Sequence, residues 1–207
     1  MLLARRLEEI EPFKVMELMA RANELSTLGH DVIHLEVGEP DFATPQPIVD
    51  EAKRGLNGGM TKYTDARGTP ELRKAISLYY ANRFNVDIET ERIFVTAGAS
   101  GGLLLLIGLL INSGENLLLA DPGYPCNRNF LSNYEAEGRL VPVSPDDNYQ
   151  LTAKLVTTWW NEQTRGVLVA SPSNPTGSVL SVKELHEIYG SVKARDGVLL
   201  VDEIYQG

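Results

Sequence analysis

The chain is poor in the groups that bring disulfides, metals and polyanions to a protein. Its one cysteine, Cys126, cannot form an internal disulfide, and His30, His34 and His186 are too scattered for metal-ligand spacing. Lys and Arg number 19 against 28 Asp and Glu, a formal net charge of -9. That balance gives no electrostatic source for counterion release from a phosphate backbone, so nucleic acid is not an expected partner. The longest apolar run, Leu103 to Ile111 with Gly108 inside, is about half of the roughly 20 residues that a membrane-spanning helix needs. The start, Met1-Leu-Leu-Ala-Arg-Arg6, lacks an apolar core followed by a cleavage site. These absences lead to the expectation of a cytoplasmic protein that binds neither membrane nor nucleic acid.

What is present is ample apolar material, 43% of 207 residues, enough for a sizeable core. From Glu91 onward, short β-branched or leucine-rich runs alternate with helical stretches. The expected strands are 92–96, 116–120, 139–143, 166–170 and 197–201, and the expected helices 100–111, 125–135, 152–160 and 182–195. Alternation of this kind predicts an α/β fold, three αβα layers around a mainly parallel sheet. Val167-Leu-Val-Ala170 and Val198-Leu-Leu-Val201 are apolar at every position, as strands covered on both faces are. Upstream, helices are expected over 12–25, 47–56 and 69–84, the last with Thr69 as N-cap and Pro70 at the first helical position. A strand is expected over 32–37. No internal repeat or low-complexity linker interrupts the chain.

In open parallel sheets ligands sit at the carboxyl ends of strands, so the turns that follow the strands matter most. Thr96-Ala-Gly-Ala-Ser-Gly-Gly102 opens an apolar helix with small residues, a context in which backbone N–H groups can approach a phosphate. It matches neither the Walker nor the dinucleotide spacing. Asp121-Pro-Gly-Tyr-Pro125 is stiffened by two prolines and projects Tyr124; Ser171-Pro-Ser-Asn-Pro-Thr-Gly177 likewise presents Asn174. Asp202-Glu-Ile-Tyr205 puts a carboxylate directly at the end of an apolar strand, where it is partly desolvated unless it finds a donor. A phosphate cradle, an aromatic plane, an amide and a carboxylate with a nearby phenol are the parts that hold a flat phosphorylated ring with a basic nitrogen.

These residues resemble the class I/II pyridoxal phosphate-dependent aminotransferases of fold type I. The similarity runs through Leu35-Glu-Val-Gly-Glu-Pro-Asp-Phe42, Tyr63-Thr-Asp-Ala-Arg-Gly-Thr-Pro-Glu-Leu-Arg73, Thr96-Ala-Gly-Ala-Ser100, Asp121-Pro-Gly-Tyr-Pro125, Ser173-Asn-Pro-Thr-Gly177 and Val201-Asp-Glu-Ile-Tyr205. The resemblance implies an aminotransferase that moves an amino group from an amino acid to a 2-oxo acid by way of pyridoxal 5'-phosphate. It implies that Asp202 pairs with the pyridine nitrogen, that Tyr205 and Asn174 hydrogen-bond the ring's phenolic oxygen, and that Tyr124 stacks on the ring. Ala99 and Ser100 would hold the phosphate, Tyr63 would reach the phosphate of a neighbouring subunit in a homodimer, and Gly38, with Asn174, would lie at the substrate. Cis peptide bonds are implied at Asp121–Pro122 and Asn174–Pro175.

The resemblance also implies a gap. The family's Schiff-base lysine follows the Asp-x-x-Tyr turn, whereas Lys14, Lys53, Lys62, Lys74, Lys154, Lys183 and Lys193 all precede it. The chain thus reads as an N-terminal fragment, inactive alone: an arm and small-domain segment over 1–50 and a partial cofactor-binding large domain over 51–207. In family members two later strands separate the strand ending near Thr96 from the rest. The sheet is therefore expected to be incomplete, with that first strand detached and the chain poorly stable and prone to associate. The other readings are a carbon–sulfur lyase on the same scaffold, a ligand-sensing domain of a regulator, which the acidic charge and lack of a helix-turn-helix before Glu11 disfavour, and a non-catalytic binding module.

Overall fold

A computed structural model describes residues 2–8 and 10–206. The chain divides into two compact units, one of residues 13–96 and one of residues 1–12 with 97–207.

The 13–96 unit is helical: α1 (Lys14–Thr27), α2 (Gln46–Asn57) and α3 (Pro70–Phe84). The entry to α3 follows its sequence signals, with the Thr69 hydroxyl accepting from the Leu72 N–H at 3.3 Å and Pro70 in the first turn. This unit buries little: among its residues only Ala22, Arg73 and Ile93 are buried. The Arg73 guanidinium is held inside by carbonyls, donating to Gly68 O at 3.2 Å and Thr90 O at 3.1 Å. It ties the turn before α3 to the 3-10 turn Thr90–Arg92. Replacing it by methionine keeps the length of the side chain but takes the guanidinium donor from Gly68 O and one of two donors from Thr90 O, the other being Ile93 N–H at 3.2 Å. Arg73→Met is therefore expected to destabilise this unit by about 1–3 kcal/mol, read as earlier loss of helical signal in urea.

Two expected strands are absent. Residues 32–37 join no ladder, and Ile33 and Leu35 are 82% and 88% exposed. Residues 92–96 begin in the 3-10 turn and continue extended, with Val95 N–H bonded to Arg67 O at 2.9 Å. Both runs have strand-like composition, but no other strand among the described residues lies beside them, and an extended segment without a ladder is not a strand.

The other unit carries the sheet. Its elements are α4 (Gly98–Leu110), β1 (Asn116–Asp121), α5 (Cys126–Ser132), β2 (Glu137–Pro142), α6 (Ala153–Trp159), β3 (Thr164–Ala170), α7 (Val182–Lys193) and β4 (Val198–Asp202). All strand pairs are parallel, in the order β2-β1-β3-β4. Successive side chains of a strand point to opposite faces, and each face here has its own core. Leu117, Leu119, Leu168 and Leu200 pack with Leu103 and Ile107 of α4 and Leu131 of α5. Leu118, Val167 and Val169 pack with Val156 of α6 and with Ile188 and Val192 of α7. Three layers result, helices on both faces of an α/β sheet, as the unbroken apolar strands require. Each fully buried Leu, Ile or Val stabilises by about 1.5–3 kcal/mol. No described helix is long and apolar enough to cross a membrane.

Two local features fix the helix layer. Ser181 and Glu184 form a reciprocal capping box at the start of α7, with Ser181 N–H donating to the carboxylate at 2.7 Å and Glu184 N–H to the hydroxyl at 3.2 Å. Ser181→Ala is expected to cost about 1 kcal/mol, measurable as a shift in the urea midpoint. At the end of α6, Trp159 and Trp160 pack on the second core, each with an arginine over its ring, Arg139 and Arg195, both at 5.6 Å.

Candidate functional site

The strand order places a topological switch in the middle of the sheet. From β1 the chain goes to β2 on one side, and then to β3 on the other, so β1 and β3 are neighbours whose connections diverge. Such a point leaves a crevice at the carboxyl ends of the strands.

Each turn at that edge has a structural reason to present its side chain. After β1, the Asp121–Pro122 bond is cis, and Gly123 follows where a Cβ would stand 2.4 Å from Ala120 O. Only glycine fits that bend, and Tyr124 comes out of it. After β3, Ser171–Pro172 and Asn174–Pro175 are both cis. The first of these was not anticipated; the bonds at Pro122 and Pro175 were. The turn is closed by Ser173 N–H to Ser178 O at 2.9 Å and Gly177 N–H to Ser173 O at 2.8 Å. Asn174 at its tip donates to the Tyr205 phenol oxygen at 3.4 Å. At the end of β4, Asp202 finds the donor that its position calls for, since the Ile204 N–H donates to its carboxylate at 3.1 Å. The remaining carboxylate oxygen has room to accept from a ligand.

At the head of α4, Gly98 takes a left-handed φ of 71° and Ala97 has no side-chain cap. The first turn therefore directs backbone N–H groups of Ala99 and Ser100 outward, at the positive end of the helix. Ala99, Ser100, Tyr124, Asn174, Asp202 and Tyr205 all line one cavity of about 130 Å³, closed by Leu103, Ala170 and Ile204. Gly38 and Tyr63 belong to the 13–96 unit, where both are exposed.

Tyr124 is the group whose acidity the site changes most clearly. Its hydrogen bond with the Cys126 thiol, then burial, then the negative potential of Cys126, Tyr205 and Asp202, push the phenol up to about 12. The phenol is thus neutral throughout the working range of enzymes and keeps its O–H. The linkage sign follows: below about pH 10 folded and unfolded phenols both hold their protons, and between about 10 and about 12 only the folded one does. Stability contributed by this group is present below pH 10 and lost as pH rises through 12. Phenolate absorbance titration should show an ionisation near pH 12, and Tyr124→Phe should remove it.

Two participants gave no sequence signal. The half-buried thiol of Cys126 meets the Tyr124 phenol. Gln150, 3% exposed, lies against the turn that carries Asn174. With Asn127 and Ser173 it lines a second cavity of about 170 Å³ that touches Tyr124 and Asn174. No cluster of three His, Cys, Asp or Glu that could hold a metal ion occurs among the described residues.

A family model described as aminotransferase class I and II matches residues 30–207. The (5-formylfuran-3-yl)methyl phosphate transaminase of Methanocaldococcus jannaschii is 39% identical over all of this chain and 52% of its own length. The valine–pyruvate aminotransferase of Mycobacterium tuberculosis is 36% identical over 96% of this chain and 51% of its own. A solved aminotransferase from Mycobacterium tuberculosis superposes with a TM-score of 0.93 at 35% identity, covering 98% of this chain and 52% of that one. The chain spans about half the length of the curated relatives it matches.

Proposed function

Since the chain belongs to the class I and II aminotransferases, we propose that it supplies the cofactor-holding part of an enzyme that transfers an amino group from an amino acid to a 2-oxo acid, with pyridoxal 5'-phosphate as cofactor. The observation that carries this reading is the convergence of a carboxylate, an amide–phenol pair and the first turn of α4 on one cavity. That donor set matches the group's chemistry: a basic ring nitrogen, a phenolic oxygen and a phosphate each meet a partner of suitable type. Bound there, pyridoxal phosphate supplies an electron-withdrawing ring that takes up the charge left when the substrate's Cα–H bond breaks.

The chain's own residues do the rest. Asp202 would accept a hydrogen bond from the protonated ring nitrogen and favour its charged form. Asn174 and Tyr205 donate to the phenolic oxygen, and their mutual contact orients both before any ligand arrives. Tyr124 covers the ring face, and the first turn of α4 with the Ser100 hydroxyl takes the phosphate. Gly38 and Tyr63 have their roles at the substrate and at the neighbouring subunit of a cytoplasmic homodimer. Among the described residues no lysine lines the cavity, so these residues bind and polarise but do not supply an amine nucleophile.

Two measurements test the reading. The 207-residue chain should bind pyridoxamine 5'-phosphate, which needs no lysine, in isothermal titration, and should show no transamination with any amino donor. A protein of the relatives' full length that includes this chain should form pyridoxamine phosphate when given an amino donor. Pyruvate release from a sulfur amino acid in place of that half-reaction would assign the protein to carbon–sulfur lyases, and absence of any binding would leave a non-catalytic module.

A further inference from the structure

We propose that Gln150 is a positioning residue for Asn174, holding the amide in place by tying together the two ends of its turn; the inference rests on the role given above to Asn174. Gln150 is almost fully buried, and its Nε2 is within hydrogen-bond distance of Ala170 O at 3.0 Å, Ser178 O at 3.2 Å and Ser178 Oγ at 3.2 Å. Ala170 is the last residue of β3 and Ser178 follows the turn, so one side chain grips the segment where it leaves the sheet and where it comes back. Two N–H bonds serve three acceptors, with the Ser178 carbonyl and hydroxyl sharing one. The same Ser178 carbonyl accepts from Ser173 N–H, next to Asn174.

Gln150 is itself firmly set. Asn148 and Tyr149 both take left-handed backbone angles, φ 52° and 51°, and the chain is pinned by Tyr149 N–H to Ser144 O at 2.9 Å and Gln150 N–H to Asp147 O at 3.0 Å. Leu151 follows with no exposed surface, anchored in the core beneath the sheet. Most other bonds of the turn run between its own residues or to Leu180 just beyond, while Ser171 N–H reaches Asp202 O at 3.0 Å and Val179 O accepts from the Asn148 amide at 3.4 Å. Gln150 is the side chain that joins it to a separate buried segment at both ends. Without Gln150 fewer bonds tie the turn to its surroundings, so it can rock as a body, and rocking moves its tip most. Asn174 is at that tip.

The test compares the 207-residue chain with Gln150→Met, which keeps the shape and removes both donors. In hydrogen exchange, the amides of Ser173 and Gly177 should exchange about tenfold faster, and those of Val167 and Val169 in β3 should be unchanged. Binding of pyridoxamine 5'-phosphate should weaken about tenfold, and Asn174→Ala added to Gln150→Met should cost no more than Asn174→Ala alone. Ser178→Ala, which removes one acceptor only, should give a smaller increase confined to the same amides. If Gln150→Met speeds exchange evenly through the sheet, or leaves the turn unchanged, or if its binding loss adds fully to that of Asn174→Ala, the proposal is overturned. Failure of the wild-type chain to bind the probe, with turn-limited exchange still seen, would sink the cofactor reading and leave the positioning of Asn174 by Gln150 standing.

Discussion

Asp202→Asn is expected to weaken pyridoxamine 5'-phosphate binding to the 207-residue chain by about 10- to 100-fold, the weight of one charge-assisted hydrogen bond. In a transaminating protein that includes this chain, turnover should fall by roughly 10²–10³, because the lost charge matters most when the ring is accumulating electrons. The substitution is close to isosteric, and the new amide oxygen can still accept from Ile204 N–H, so the turn after β4 should keep its shape. What disappears is the negative charge that, in the proposed site, favours a protonated ring nitrogen. The split between the two readouts is the informative part: a larger loss in turnover than in affinity locates the carboxylate at the ring. Equal modest losses would place it elsewhere, and no loss in either would remove Asp202 from the site.

Gly166→Ala should give the largest loss of stability from a single added methyl. A Cβ at Gly166 would stand 2.1 Å from Val198 O and 2.6 Å from a Val198 methyl, inside the β3–β4 ladder where the backbone has nowhere to go. The expected cost is about 3 kcal/mol or more, from overpacking and a disrupted parallel pair. Gly190→Ala is the matched control. Gly190 is exposed in the middle of α7, with nothing within 4 Å of an added Cβ, and alanine there should stabilise by about 0.5–1 kcal/mol. The two midpoints in urea should move in opposite directions. Because β4 carries Asp202, the first variant should also lose cofactor affinity, even though Gly166 touches no part of the cavity.

The legibility of this molecule in its sequence varies with how local each determinant is. The four strands of the sheet lie within two residues of their expected bounds, because runs such as Val167-Leu-Val-Ala170 carry both their conformation and their burial in composition. Residues 92–96 and 32–37 have similar composition and form no strands, since a ladder needs a neighbour and composition does not supply one. The side chains at the carboxyl edge were legible as a group because proline, glycine and a terminal carboxylate mark strand ends. Gln150 was not: it looks like any polar loop residue, and only the left-handed pair before it, Asn148 and Tyr149, turns it inward. The contact between Cys126 and Tyr124 escaped for a similar reason, as residues two apart meet only where the chain turns, here into the start of α5.

The strand order β1-β3-β4 has a metric consequence. Neighbouring parallel strands stand about 4.8 Å apart, so groups at the ends of β1 and β4 are spaced by two such intervals, nearly 10 Å. That span admits one aromatic ring with a contact distance on either side, and Asn174 hangs from the strand between. The sheet is a ruler, and its graduations are set by backbone hydrogen bonds, independent of which apolar side chains fill the layers above and below. Core substitutions that keep the ladder should leave the ruler unchanged. A slip of one residue between β3 and β4 would shift Asp202 by about 3.3 Å and turn it to the opposite face, so the pairing Ala170 with Asp202 is the dimension on which the site depends.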